Sequence, residues 1–282
     1  MIAVVDYQKG NLKSVERGLI AAGGEALITA DASEIAKADA IVLPGVGAFA
    51  DAAATMCELG QMEVIRERVR AGVPFLGICL GEHLMFEHGV EGAPEGNPAC
   101  GLGLLPGTVV AMPRCDAQGK AFKVPHVGWN TIEIPACGGS AAVPPCGEGG
   151  GNAVLSSGGA GGGAARSSAA KPHSPEHGAF PGSAPQAGSE LAFPDSTPQP
   201  GSDLAFACPL FDGIAPGEYF YFTHSFIVPT GSHTIAETTH STRFTSAVQF
   251  GECAFGVQFH PEKSSDAGAR VLANFVAIAA RG

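Results

Sequence analysis

Short runs of uninterrupted apolar residues, separated by helical stripes, fill the first third of this chain and restrict its fold more than any other feature. Residues 2–5, 26–28, 40–43 and 73–79 are predominantly apolar and lack the in-out alternation of a half-exposed strand. Strands of that kind are buried on both faces, which is what helices above and below a parallel sheet provide. Helical patterns occupy the gaps. Leu12, Val15, Leu19 and Ile20 form one stripe, and Asp31 or Ser33 is placed to cap a short helix running toward Ala38. A single helix is expected over about 50–70, with Met62, Ile65 and Val69 on a shared face, and another from Leu80 to His88.

Beyond about residue 104 the rhythm shortens. Val109–Met112, Thr131–Ile134, Tyr219–Phe222, Thr234–Glu237 and Ser246–Phe250 read as antiparallel additions, and Phe255–Phe259 as a further buried strand. Residues 266–280 close the chain with an apolar helix. The expected class is α/β, with a mainly parallel central sheet flanked by helices and added antiparallel strands.

Residues 138–203 break this order. They consist mostly of Gly, Ala, Ser and Pro, and bury too little apolar surface to offset the entropy of ordering. They read as a disordered insertion in a single domain made of residues 1–137 and 204–282. Pro185–Phe193 recurs as Pro198–Phe206, a duplication too short and too polar for a solenoid. Cys137, Cys146, His173 and His177 lie in or beside this stretch. No core there would hold them as metal ligands, and no C-x-x-C pair occurs elsewhere. Neither metal nor cofactor is expected.

A formal charge of −11 with 16 Lys+Arg leaves no basic surface for a nucleic-acid backbone. No apolar run reaches the roughly 18 residues that span a bilayer. The buried-strand start lacks the charged opening of a signal peptide, and the eight cysteines are scattered rather than framed as disulfides. A cytoplasmic protein with reduced thiols is the expectation.

Three segments carry chemistry. Gly77-Ile78-Cys79-Leu80-Gly81 is the strand-to-helix turn of a nucleophile elbow with sulfur in place of oxygen. That turn sets Cys79 at a helix N-terminus, where unpaired N–H groups favour a thiolate. Taken alone, the pentapeptide fits a buried strand-ending cysteine equally well. In His260-Pro261-Glu262, residues two apart face one way in an extended segment, so the carboxylate can orient the imidazole as general base. Gly45-Val46-Gly47 follows the third strand, on the sheet edge where open α/β folds bind ligands. It is placed to supply a backbone N–H to an oxyanion, with the Leu80 N–H as the second donor. Neither a Walker loop nor G-x-G-x-x-G is present.

With these residues in hand the chain resembles the class I (triad) glutamine amidotransferases. Within them it is most similar to the glutaminase subunits of imidazole glycerol phosphate synthase, from histidine biosynthesis. The likeness rests on Asp6-Tyr7, Gly10-Asn11-Leu12, Pro44–Phe49, Leu76–Gly81, Val124–Asn130, Tyr221–Phe226 and Gly256–Ser264. It implies a flavodoxin-like fold, nucleophile Cys79, base His260 and orienting Glu262. It places Gly45, Val46, Gly47, Leu80, His83, Thr223, His224 and Ser225 around the oxyanion and the glutamine substrate.

It further implies a (β/α)₈ cyclase subunit as partner, which receives the ammonia and makes imidazole glycerol phosphate and an aminoimidazole carboxamide ribotide. Asn11, Trp129, Asn130 and Lys263 would face that partner, and Gly128-Trp129-Asn130 reads as a turn. An amidotransferase of the anthranilate or aminobenzoate type, or a non-catalytic scaffold for the cyclase, are the competing readings. One departure stands out: the family usually has glutamine where this chain has His83, after Glu82 in place of an apolar residue. Imidazole lacks the paired geometry of an amide. A raised KM for glutamine is expected, restored by His83→Gln; steady-state kinetics of that variant with an unchanged or higher KM would contradict this.

Overall fold

The computed structural model describes residues 1–134, 208–228 and 230–281. The readings made on residues 138–203, including the duplication and the His173/His177 pair, lie outside the described residues.

The apolar runs become the strands they predict. β1 (Ile2–Val5), α1 (Leu12–Ala21), β2 (Ala26–Thr29), α2 (Ala32–Lys37) and β3 (Ala40–Gly45) follow in order. Asp31 caps α2 by accepting from the Ser33 N–H at 2.8 Å. The helix expected over 50–70 is two helices, α3 (Phe49–Glu58) and α4 (Gln61–Arg70), because Gly60 sits between them at φ 68°, outside the helical region. Met62, Ile65 and Val69 are buried on α4 as expected. Ile20, by contrast, is 53% exposed; of the α1 stripe only Val15 and Leu19 are fully covered.

β4 (Phe75–Cys79) leads into α5 (Leu80–His83), which is a single turn and not the helix expected to His88. The chain is drawn straight into β5 (Phe86–Gly89), because Phe86 is fully buried and β5 pairs with two strands to come. These are β6 (Ala99–Cys100) and β7 (Leu105–Ala111), which with the later β10 (Phe226–Ile227) make a four-stranded sheet ordered β10-β7-β5-β6. β8 (His126–Thr131) and β9 (Tyr219–His224) pair as an antiparallel ribbon. Gly128-Trp129-Asn130 therefore lies inside a strand and is not a turn: each residue pairs across to Phe222, Tyr221 or Phe220.

β11 (Thr234–Thr239), β12 (Arg243–Phe250) and β13 (Ala254–Val257) complete the main sheet, and α6 (Ser265–Ala279) ends the chain. The main sheet has seven strands ordered β11-β12-β13-β4-β3-β1-β2. It is parallel from β13 to β2 and antiparallel across β11-β12-β13.

Alternate residues of each central strand feed two cores. Ile2, Val4, Val42, Leu76 and Ile78 pack with α1 and α6, while Ala3, Val5, Ile41, Leu43 and Phe75 pack with α3 and α4. Each fully buried aliphatic or aromatic side chain is worth about 2 kcal/mol, so both faces must be covered for the unbroken apolar runs to stabilise the fold. β3 outruns β1, whose pairing stops at Val42. Pro44, which has no N–H to give, falls in that overhang while β3 still pairs with β4. The carboxyl ends of β3, β4 and β13 thus meet at one edge, and the candidate site stands there.

Candidate active site

Cys79 ends β4 with φ 55° and ψ −107°, a conformation that side-chain-bearing residues rarely adopt. The flanking glycines allow it. A Cβ on Gly81 would lie 1.8 Å from the Leu43 carbonyl oxygen, and one on Gly77 would lie 2.5 Å from the Gly81 oxygen. Strand and helix therefore cross closer than any side chain permits. Cys79 is 7% exposed, and its Sγ lies 3.9 Å from the Thr223 carbonyl oxygen of β9.

On one side of Cys79 the register places Gly45 of β3. On the other, the β13 pairing ends with Val257 beside Ile78, so Gln258 comes next to the cysteine. His260 follows two residues on, facing the same way. Its Nδ1 is 2.9 Å from Glu262 Oε1, and both side chains are buried, 3% and 1% exposed. Its Nε2 has no hydrogen-bond partner among the described residues, and the Cys79 thiol is near enough to act on its protonation. Burial opposes the imidazolium, but Cys79 and Glu262 outweigh it and raise the His260 pKa to about 9. The His260 backbone is held in turn: its N–H donates to the Tyr221 carbonyl at 2.9 Å, and Ser264 Oγ donates to its own carbonyl at 2.6 Å.

A cavity of about 420 Å³ opens beside the sulfur. Val46, Gly47, Leu80 and His83 form one wall, and Thr223, His224 and Ser225 another. Of the residues expected around substrate, only Gly45 stays behind the lining, paired with Cys79 and packed on Tyr7 and Leu80. Glu91 also faces the cavity. Burial raises its pKa, against a hydrogen bond from the Phe49 backbone. Sequence reasoning missed Glu91, because the helix expected to His88 left no reason to look just past it. It also missed Gln258, although that residue shares the parity of His260 and Glu262.

His224 and His126 form a neutral pair behind the cavity. His224 Nδ1 donates to the Phe226 carbonyl at 2.9 Å, so its Nε2 must accept from His126 Nδ1 at 3.0 Å. Asn130 Nδ2 lies 3.3 Å from His126 Nε2 and donates to the Thr239 carbonyl at 3.0 Å. The Asn130 side chain, expected to face a partner, is half-buried and held by these two bonds. Burial lowers the pKa of both histidines, that of His126 to about 4. Trp129 is 51% exposed and meets Tyr221 edge-on, with the Lys263 ammonium 5.9 Å from the Tyr221 ring centre. Asn11 stands at the N-cap of α1. Among the described residues no three His, Cys, Asp or Glu side chains gather as a metal site, and no helix is long and apolar enough to cross a membrane.

Glu82 and His83, neighbours on α5, bias stability in opposite directions with pH. Burial, with Cys79 adding to it, keeps the Glu82 pKa well above its ordinary 4.5, and neither carboxyl oxygen has a hydrogen-bond partner. The native state then keeps a proton that the unfolded chain releases, so this contribution is complete below about pH 4.5 and is lost as pH rises. Burial lowers His83 from 6.5 to about 4 against its bond to Gln258, so its contribution is complete above about pH 6.5 and is lost as pH falls. Glu82→Met should raise the unfolding free energy by about 2 kcal/mol at neutral pH, since an unpartnered buried acid is replaced by an apolar side chain. Urea melts should show a larger gain at pH 8 than at pH 5; the reverse order would contradict the burial argument.

The family model for class-I glutamine amidotransferases matches residues 3–133 and 193–279. The chain is 35% identical over 276 residues to the imidazole glycerol phosphate synthase subunit HisH of Moorella thermoacetica, covering 97% of this chain and 93% of that one. It is 33% identical to the HisH subunit of Aromatoleum aromaticum, covering 99% and 98%. Among solved structures, a glutamine amidotransferase superposes with TM-score 0.55 at 16% identity, covering 99% of this chain and 98% of that one. The PurLQS structure from Thermotoga maritima gives 0.54 at 14%, covering 98% and 97%. At these identities the structural likeness is one of fold. A thiol beside a carboxylate-held imidazole and relatives of this closeness lead to one assignment: the chain belongs to the class-I glutamine amidotransferases and, within them, to the HisH subunits of imidazole glycerol phosphate synthase.

Proposed function

We propose that this chain hydrolyses glutamine in the cytoplasm and passes the ammonia to a cyclase subunit of the (β/α)₈ type. The observation that carries this reading is His260, which Glu262 holds at Nδ1 and whose imidazolium the neighbouring Cys79 stabilises. His260 takes the cysteine proton, and the sulfur adds to the side-chain amide carbon of glutamine. The N–H of Leu80 and an N–H of the Gly45–Gly47 loop take the resulting oxyanion. The imidazolium returns its proton to the leaving nitrogen, ammonia departs, and a thioester remains. Water, deprotonated by the same imidazole, hydrolyses the thioester to glutamate. Glu91, the carboxylate facing the cavity, is placed to take the substrate ammonium.

The exposed face of the β8–β9 ribbon fits the partner. Val127, Trp129 and Tyr219 are 54%, 51% and 59% exposed, a concentration of apolar surface on one short ribbon. Tyr221 of the same ribbon accepts from the His260 N–H, and its own N–H donates to Ser264 Oγ at 3.0 Å. A partner seated here presses on the segment that positions the base.

The test is ammonia release from glutamine, measured for the chain alone, with the cyclase barrel, and with the barrel and its nucleotide ligand. Release should rise about tenfold or more when barrel and ligand are present, the usual scale of coupling between two sites. Absence of glutamine-dependent release under all three conditions would leave the scaffold reading standing.

A further inference from the structure

The side chain between the nucleophile and its neighbouring strand is an amide with a fixed polarity. Gln258 is fully buried, and its Nε2 lies 3.7 Å from Cys79 Sγ. Its Oε1 lies 2.7 Å from His83 Nε2, a residue of α5 that is 3% exposed. Only one assignment of protons suits all three atoms when the sulfur is ionised. A thiolate accepts, so the amide N–H must donate to it. The amide oxygen then faces His83 and must accept, so His83 carries its proton on Nε2 and leaves Nδ1 bare. Nδ1 indeed makes no hydrogen bond among the described residues. The reversed amide would set its carbonyl oxygen against the thiolate. Between buried side chains that contact is repulsive, and the donated bond is stronger than in water.

We propose that Gln258 is a positioning residue for the nucleophile, donating its amide N–H to the Cys79 sulfur while His83 holds the amide in the donating orientation. The backbone delivers both partners without strain. Gln258 extends β13 alongside Cys79, on the same face as His260, so one strand brings the base and the donor to the sulfur together. His83 stands one turn beyond Cys79 on α5. Histidine at this position thus has work of its own, distinct from the substrate contact that the family's glutamine makes there. The other titratable groups about the sulfur are His260 from the segment after β13, Tyr7 from the loop after β1, and Glu82 of α5. The first stabilises the thiolate, while the other two, whose pKa values are raised by burial and by Cys79 itself, make no hydrogen bond to it. The one side-chain N–H that donates to the sulfur among the described residues is that of Gln258.

The inference rests on Cys79 being the nucleophile, and the experiment separates the two claims. The full-length protein and its variants are treated with iodoacetamide across a range of pH, and alkylation of the Cys79 peptide is followed by mass spectrometry. In Gln258→Met, which fills the same space without a donor, the midpoint of the alkylation profile should rise by about one pH unit. His83→Phe should move it the same way, and His83→Gln, which restores an N–H donor beside the amide, should return it to the unsubstituted value. If Gln258→Met loses its native circular dichroism, Gln258→Glu serves instead: it keeps the shape, sets a carboxylate beside the sulfur, and should drive the midpoint higher still. A midpoint that stays in place in the folded Gln258 variant, with Cys79 still reactive, assigns Gln258 to packing and overturns the proposal alone. A Cys79 that reacts no faster than exposed Cys115 at any pH overturns the nucleophile reading, and the proposal with it.

Discussion

Cys79→Ala should lower glutamine-dependent turnover by at least about 10⁴-fold, while turnover supplied with free ammonia in the complex with the cyclase stays near that of the unsubstituted protein. Removing a nucleophile leaves only binding and oxyanion stabilisation, and groups acting as one unit lose nearly all their effect together. The sulfur is the atom on which His260 and Gln258 converge, with Glu262 behind the imidazole. Its loss leaves a buried imidazole with nothing to deprotonate. The Ala methyl leaves the strand-to-turn path intact, because the strain there resides in the backbone and not in the thiol. The measurement is paired steady-state kinetics with glutamine and with an ammonium salt. Loss of both activities would mean that Cys79 holds the fold and not the chemistry. Retention of glutamine turnover would move the nucleophile elsewhere.

Gly81→Ala should destabilise the protein by about 4 kcal/mol or more, the range reached only by severe steric or electrostatic faults. The added methyl would stand 1.8 Å from the carbonyl oxygen of Leu43 and 2.9 Å from its carbon, both backbone atoms of the central strand β3. No rotamer change relieves a clash between backbone and Cβ, so β3 or α5 must move. Either movement breaks the Gly45–Cys79 alignment, so activity falls along with stability. Chemical denaturation followed by circular dichroism tests this. A loss below about 1 kcal/mol, or the gain of about 0.5–1 kcal/mol that alanine ordinarily brings over glycine inside a helix, would show that the two elements are not in contact.

Much of this was legible in one dimension because the relevant spacings are local. Apolar runs without alternation have a single use in a domain of this size, and the parallel strands fell where they were expected, within one or two residues. His260 and Glu262 are two residues apart, and the extended backbone alone brings them to 2.9 Å. Failures came where a distant element overruled local pattern. Leu80 to His88 has helical character, but Phe86 and Gly89 pack under partners contributed by residues 99–111. Gly128-Trp129-Asn130 has the composition of a turn, yet β9 pairs with it residue for residue.

The groups of the candidate site and their local order were written in the chain itself: a thiol on a strained elbow, an imidazole with its own carboxylate, a glycine loop at a strand end. Tertiary structure alone decided which groups share a cavity. Strand register set Gln258 beside Cys79 and Gly45 on its other flank and paired Asn130 with Phe220, and the fold brought Glu91 to the cavity. Those meetings span tens to hundreds of residues, and their cause is the packing of two cores against one twisted sheet. A side chain's neighbours across strands depend on which strands pair and in what register, a property of the whole assembly that no short window of residues contains.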